Sequence, residues 1–284
     1  MGVLQRVVDT TLRDGEQMPG LTFFDHERLA LLELLKQAGV GAIEIPGPAI
    51  DPRSAASEWS QQQDLTVIVW NRAVADDIEL SLQAGFRHIH VSLPVSAAHI
   101  EKKLGVTFAW ILCQLESCIK KIRAAGALAY VGAEDASRAS DEFFLQYARL
   151  AADMGALRIR FADTVGCMQP NEVESRLRRL QAKCPIQLEF HGHNDFGLAL
   201  ANHLAADKAG IQWHSGTVRG IGERAGNADL RGLQHWLGKN AQKNSPGHSP
   251  DHKQCSETIL LSGEKIVTAA MQRATQAARL PFQI

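Results

Sequence analysis

Short β-branched runs alternate with longer amphipathic stretches eight times along this 284-residue chain, and no other feature restricts its fold so much. The strand-like runs are "RVVDTT" (6–11), "GAIEI" (41–45), "LTVIVW" (65–70), "HIHVSL" (88–93), "LAYVGA" (128–133), "LRIRFA" (157–162), "IQLEFH" (186–191) and "WHSGTV" (213–218). Between the first two, "DHERLALLELLKQAG" (25–39) sets leucines at three- and four-residue steps, with Asp25 as the expected N-cap and Gly39 as the stop. "DEFFLQYARLAADMG" (141–155), "QPNEVESRLRRLQAK" (169–183) and "FGLALANHLAADKAG" (196–210) follow the same design. Strand–helix alternation implies parallel strands, because a crossover must carry the chain back to the same end of the sheet. Eight such units in about 235 residues predict an α/β fold, a closed (β/α)8 TIM barrel. A doubly wound open sheet competes with it, but no G-x-G-x-x-G follows the first strand.

The barrel is expected over residues 1–238. "GKNAQKNSPGHSPDHKQCS" then turns polar with two prolines, and residues 239–256 read as a linker. Residues 257–284 read as a short C-terminal helical extension packed on the outside. A net charge of −1 gives no reason to expect nucleic acid or an anionic membrane as partner. No run approaches the ~18 apolar residues of a membrane span, and "MGVLQRVVDTTLRDGEQ" contains no secretory signal. The five cysteines (113, 118, 167, 184 and 255) form no CxxC pair, so reduced thiols and a cytoplasmic location are expected.

Barrels of this kind build their sites at the C-terminal ends of the strands. Those ends carry "DTTLRDGEQ" (9–17), Glu44, Asn71 and Arg72, Ser92, "EDASR" (134–138), Asp163 and Thr164, "HGHND" (191–195) and "GIGERAGNADL" (220–230). On a strand, residues two apart share a face, so His191 and His193 both reach one point. Asp14 or Asp9 can add a carboxylate, and two histidines with one carboxylate suit a divalent ion with open positions. "HIH" at 88–90 has the same spacing but lies earlier in its strand, so His88 and His90 read as structural or substrate-facing. Glu44 reads as a buried partner for Arg13.

"DTTLRDGEQMPG", "EDASRA", "RFADTVG", "HGHNDFGLALAN" and "GIGERAGNADL", in this order, resemble the metal-dependent acyl-CoA-condensing enzymes that include 2-isopropylmalate synthase and homocitrate synthase. "EDASRA" and "RFADT" are most similar to the nitrogen-fixation type of homocitrate synthase. The resemblance implies Asp14, His191 and His193 as metal ligands, with Asn227 a further oxygen ligand, for Zn, Mn, Mg, Fe or Co. It puts Arg13 against the keto oxygen of a 2-oxo acid, Glu134 at the acyl thioester and Thr164 at the acid's carboxylate. His90 falls among the substrate-facing residues. Arg160 has two readings: a bidentate partner for the distal carboxylate of a dicarboxylic oxo acid, or an ion pair with Asp163 or Glu189. The implied reaction joins acetyl-CoA to a 2-oxo acid, 2-oxoglutarate giving homocitrate, with a homodimer as the expected assembly. A 2-isopropylmalate synthase-like reaction with 2-oxoisovalerate is the alternative.

The family's C-terminal subdomain, with an "H-x-S-G-I-H-x-D-G" type segment that supplies an acid/base, has no counterpart here. A separately encoded C-terminal subunit, a truncation, or His248 or His252 as substitute would each account for this. The related hydroxymethylglutaryl-CoA lyases use a cysteine in a glycine-rich loop, and "GIGERAGNADL" has none. A non-catalytic barrel needing a separate partner is the non-enzyme reading.

Overall fold

Strands of three to seven residues cannot bury themselves, and in the computed structural model they solve this by closing into a ring. The structure describes residues 3–62, 64–244 and 251–278. The eight strands, all parallel and neighbouring in chain order, are β1 (Val7–Asp9), β2 (Ala42–Pro46), β3 (Thr66–Arg72), β4 (His88–Pro94), β5 (Leu128–Glu134), β6 (Arg158–Asp163), β7 (Gln187–Gly192) and β8 (Trp213–Gly216). The seam pairs β1 with β8, in the register Val7 with His214 and Asp9 with Gly216. The expected TIM barrel is the observed one.

Helices α1 (Asp25–Ala38), α2 (Ser57–Ser60), α3 (Ala75–Gln83), α4 (Phe108–Ala124), α5 (Asp141–Asp153), α6 (Pro170–Gln181), α7 (Ala199–Lys208), α8 (Leu230–Asn244) and α9 (Asp251–Ala278) complete the described chain. Helix α1 ends at Gly39 as expected, in the left-handed conformation that glycine adopts without strain. Its cap lies one residue earlier than expected: Asp25 is the first helical residue, and the Glu27 carboxylate accepts the Phe24 N–H at 2.9 Å. Helix covers 239–244 and 251–256 of the stretch read as linker, while 245–250 lie outside the described residues. Helix α9 packs on α1, buries Leu260, Val267 and Ala270, and pairs Arg273 with Glu27 at 2.6 Å.

Outward strand residues such as Ile43, Val69, Val91, Val131, Ile159 and Phe190 join one continuous apolar core beneath the helices. Inside the barrel, Val8, Ala42, Ile68 and Tyr130 form a separate cluster at the base. Above it the interior is ionic. Arg158 Nε donates to Glu189 at 2.8 Å, and Glu189 accepts Arg160 Nε at 2.6 Å. Arg160 Nη1 and Nη2 grip both oxygens of Glu44, at 2.9 and 2.6 Å. Glu44 then accepts Arg13 Nε at 2.7 Å and faces His90 Nδ1 at 3.0 Å. Burial pushes both glutamates towards the neutral form, but the guanidinium groups, Arg160 first, outweigh it and hold each carboxyl below its usual range.

The seam has its own clamp. Asp9 accepts the Thr11 N–H at 3.0 Å and the Thr11 hydroxyl at 2.9 Å, and Thr11 Oγ1 accepts the Val218 N–H at 2.8 Å. Full burial, only partly offset by those Thr11 bonds, raises the Asp9 pKa from 3.8 to about 7.

Two outcomes are expected. Glu189→Leu strands Arg158 and part of Arg160 in the interior, so urea unfolding at neutral pH should show a loss of about 3–5 kcal/mol; a loss below ~1 kcal/mol contradicts the network. Asp9 has a folded pKa above its unfolded value, so its stabilising contribution is full below about pH 4 and disappears as pH rises through about 7. Asp9→Asn should therefore gain stability relative to the parent as pH rises from about 4 to about 7, with the difference level above that; a pH-independent difference contradicts the raised pKa.

Candidate functional site

The end of β7 delivers His191 and, two residues on, His193, whose N–H donates to Asp163 O at 3.3 Å. The next residue anchors the following loop, with Asn194 N–H to Gly226 O at 2.9 Å. Both imidazoles are buried. His191 Nδ1 lies 2.9 Å from Ser215 Oγ, and that hydroxyl donates to Phe190 O at 3.3 Å. With its proton so used, Ser215 accepts from His191 Nδ1–H. His193 Nδ1 lies 3.2 Å from Glu223 O, which can only accept. The hydrogen bonds thus assign the Nδ1–H tautomer to both rings and turn both Nε2 lone pairs inward.

Those two Nε2 atoms are 3.3 Å apart, and Asp14 Oδ2 lies 3.6 and 3.8 Å from them. Three lone-pair donors facing one point repel one another unless a cation stands between them. Two nitrogens bound to one ion at ~2.0–2.1 Å are separated by roughly 3.3 Å at a tetrahedral angle, which is the separation seen. Burial first, then the neighbouring His193, Arg160 and Arg13, holds the His191 pKa well below the usual value, which favours the neutral ring that a metal ligand requires. Asp14, His191 and His193 could therefore hold a metal ion, and they are the one such group among the described residues.

Asp14 is the carboxylate of the two considered that joins the histidines; Asp9 is engaged with Thr11. The turn after β1 positions it, Thr10 O accepting both Arg13 N–H and Gly15 N–H at 3.1 Å. Asp14 Oδ1 accepts Asn227 Nδ2 at 2.6 Å and Glu223 N–H at 3.0 Å, leaving Oδ2 towards the histidines and Arg13 Nη1 at 3.0 Å. Asn227 Oδ1 is buried without a hydrogen-bond partner, an oxygen suited to a further ligand. Gly222, at φ 154°, lets the loop approach this closely; a Cβ there would overlap Asn227 Nδ2 and Asp14 Oδ1.

Arg13 sits beside this point, oriented by Glu44 and Asp14, with its guanidinium 5.5 Å from the Trp70 ring centroid. Arg160 has all three kinds of nitrogen committed to Glu44 and Glu189, so the ion-pair reading is the one that fits; Asp163 is not its partner. His90 keeps Nε2 buried and without a partner. The adjacent Gly132 leaves room there, since a Cβ would overlap that atom and Ser92 Oγ. His88 bonds Tyr130 OH at 3.0 Å near the base, a structural contact.

Across the mouth, Glu134 ends β5 half-buried, with no side-chain hydrogen bond among the described residues. Thr164 Oγ1 accepts the Asp135 N–H at 2.9 Å, which leaves the hydroxyl proton free to donate. Asp135 takes a left-handed φ of 56° and binds Ser96 and Arg138, bracing the loop from inside. Sequence reasoning overlooked Ser215, although its place two residues into β8, on the inward face, was a usable signal. The Glu223 carbonyl gave no signal, because any residue type supplies one. His248 lies outside the described residues, and of His252 only the helical backbone is described. No helix among the described residues is long and apolar enough to cross a membrane.

The chain is 41% identical over 225 residues to the 2-phosphonomethylmalate synthase of Streptomyces rubellomurinus, covering 78% of this chain and 60% of that one. It is 37% identical over 233 residues to the homocitrate synthase subunit alpha of Clostridium pasteurianum, covering 81% and 86%. It spans about 60% of the length of several curated relatives that it matches. The fold is similar to the HMG-CoA lyase from Brucella melitensis, with a TM-score of 0.74 at 20% identity over 94% of this chain and 98% of that one. At that identity the likeness concerns the fold alone. The HMGL-like family profile matches residues 5–246, most of the chain and all eight strands, and the chain belongs to the HMGL-like family.

Proposed function

We propose that this protein is an acyltransferase that condenses acetyl-CoA with a 2-oxo acid at a divalent metal centre, 2-oxoglutarate giving homocitrate. The observation that carries the reading is the convergence of Asp14, His191 and His193 on one point beside the Arg13 guanidinium. The names of the relatives support it. A malate substituted at its second carbon, like homocitrate, is what results when an acetate unit adds to the keto carbon of a 2-oxo acid.

In this reading Asp14, His191, His193 and the Asn227 oxygen hold the ion, whose identity among Zn, Mn, Mg, Fe and Co is open. A divalent ion bound there supplies Lewis acidity at the keto oxygen and orients the oxo acid. Arg13 lies against that oxygen and stabilises the negative charge that develops on it. Thr164 donates its free hydroxyl proton to the 1-carboxylate. Glu134, free of side-chain hydrogen bonds among the described residues, takes the methyl proton of the thioester, and the resulting carbanion attacks the keto carbon. Protonation of the alkoxide and hydrolysis of the thioester then release CoA–SH and the 2-hydroxy acid. His90 Nε2 and Ser92, around the space above Gly132, receive the far end of the oxo acid. Arg160 acts at one remove, by fixing Glu44 and through it Arg13. The Clostridium relative's designation as subunit alpha favours a separately encoded chain as source of a further acid/base. The glycine-rich loop at 220–230, with no cysteine, disfavours lyase chemistry.

Incubation with acetyl-CoA, divalent metal and a panel of oxo acids, followed by thiol release, tests the reaction. Release with 2-oxoglutarate is expected; release with 2-oxoisovalerate alone moves the reading to the leucine-type condensation, and cleavage of hydroxymethylglutaryl-CoA moves it to a lyase. The metal centre has a separate test. Ser215→Ala removes the group that orients His191, and a chelator-competition titration should show metal affinity reduced about 10–100-fold. Unchanged affinity would mean that His191 is not a ligand.

A further inference from the structure

We propose that the opposite, N-terminal end of the barrel carries a second binding site, one that takes a small carboxylate with an apolar tail. A cavity of about 500 Å³ opens there, lined by Ile68, Tyr130, Ala156, Arg158, Gln187 and Trp213 among others. It lies at the foot of β3, β5, β6, β7 and β8, at the end of the strands away from Asp14, His191 and His193.

Among the described residues Arg158 is its only charged lining residue. The side chain is 94% buried, and its guanidinium lies over two rings, 4.0 Å from the Trp213 centroid and 5.1 Å from that of Tyr130. Nε donates to Glu189 at 2.8 Å, but neither Nη1 nor Nη2 makes a hydrogen bond among the described residues. Neither nitrogen is sealed off from solvent, so both can take an acceptor that enters the cavity. With two aromatic rings beside the guanidinium, an acceptor lying in its plane meets the hydrogens of Nη1 and Nη2. The edge formed by Nη1 and Nη2 matches the two oxygens of a carboxylate.

The interior ion chain runs Arg158–Glu189–Arg160–Glu44–Arg13–Asp14, and Arg158 is its terminal cation, at the cavity. A monoanion bound there extends the alternation by one step. The absence of a second cation in the lining favours a carboxylate over a dianionic phosphate. Ile68, Ala42 and Ala156 supply the surface for an apolar tail. The proposal does not depend on the reaction at the mouth.

Calorimetric titration of the full chain with benzoate, benzamide and inorganic phosphate tests it. Benzoate should bind at one site, and its neutral isostere and phosphate at least about tenfold more weakly, a difference of about 1.4 kcal/mol. Arg158→Met should reduce benzoate affinity at least about tenfold. Because that variant also disturbs Glu189, Ala156→Trp serves as the second probe: it fills the cavity from the α5–β6 turn, leaves the ion chain intact, and should abolish benzoate binding. Absence of benzoate binding in the parent at millimolar concentration would overturn the proposal. So would equal binding of benzamide, or benzoate binding that survives Ala156→Trp.

Discussion

Two buried carboxylates, Glu44 and Glu189, keep three guanidinium groups inside a closed sheet, and the rest of the molecule is arranged around that ion chain. Barrels of this architecture usually fill their interiors with branched apolar side chains. Here an apolar plug remains only at the base, around Ala42, Ile68 and Tyr130. Stability instead comes from the outer layer, where outward strand residues and helix faces form one continuous core. This division of labour frees the inner face for charge. Each charge is tolerated because its partner is within hydrogen-bonding reach and the lone pairs of both carboxylates are used.

The ion chain also explains why Arg13 is available for chemistry. A guanidinium at a barrel mouth would ordinarily sample many rotamers. Glu44 fixes its Nε, Asp14 fixes one Nη, and Trp70 lies across its face. Glu44 in turn cannot swing, because Arg160 holds both of its oxygens. In the proposed reaction, the charge that Arg13 would bring to the carbonyl is therefore set in place before any substrate arrives.

Much of this was legible in the sequence, and the reasons are local. The barrel follows from alternation, since strand and helix periodicities are properties of short windows. That His191 and His193 share a face follows from the two-residue period of a strand, while reading them as a metal site leaned also on "DTTLRDGEQ" and "GIGERAGNADL". What stayed hidden depended on distance along the chain. Residue pattern left Asp9 and Asp14 both open and the family resemblance alone singled out Asp14, while Arg160 finds Glu44 across 116 positions. The stretch read as linker is polar, and composition concealed that its two ends continue helices. Ser215 was overlooked because a lone serine near a strand end is common, and only the position of His191 gives it a task.

The three metal-ligating candidates straddle the place where the ring closes. Asp14 follows the first strand, His191 and His193 end the seventh, and the loop after the eighth supplies Asn227 and the Glu223 backbone. A cation held by these groups would bridge the earliest and latest parts of the barrel to be synthesised. Its affinity would count only for the closed ring, because no segment alone carries the full ligand set, so occupancy would act as a latch against opening between β1 and β8. Thermal resistance should then track metal supply, even though the ion touches none of the apolar core.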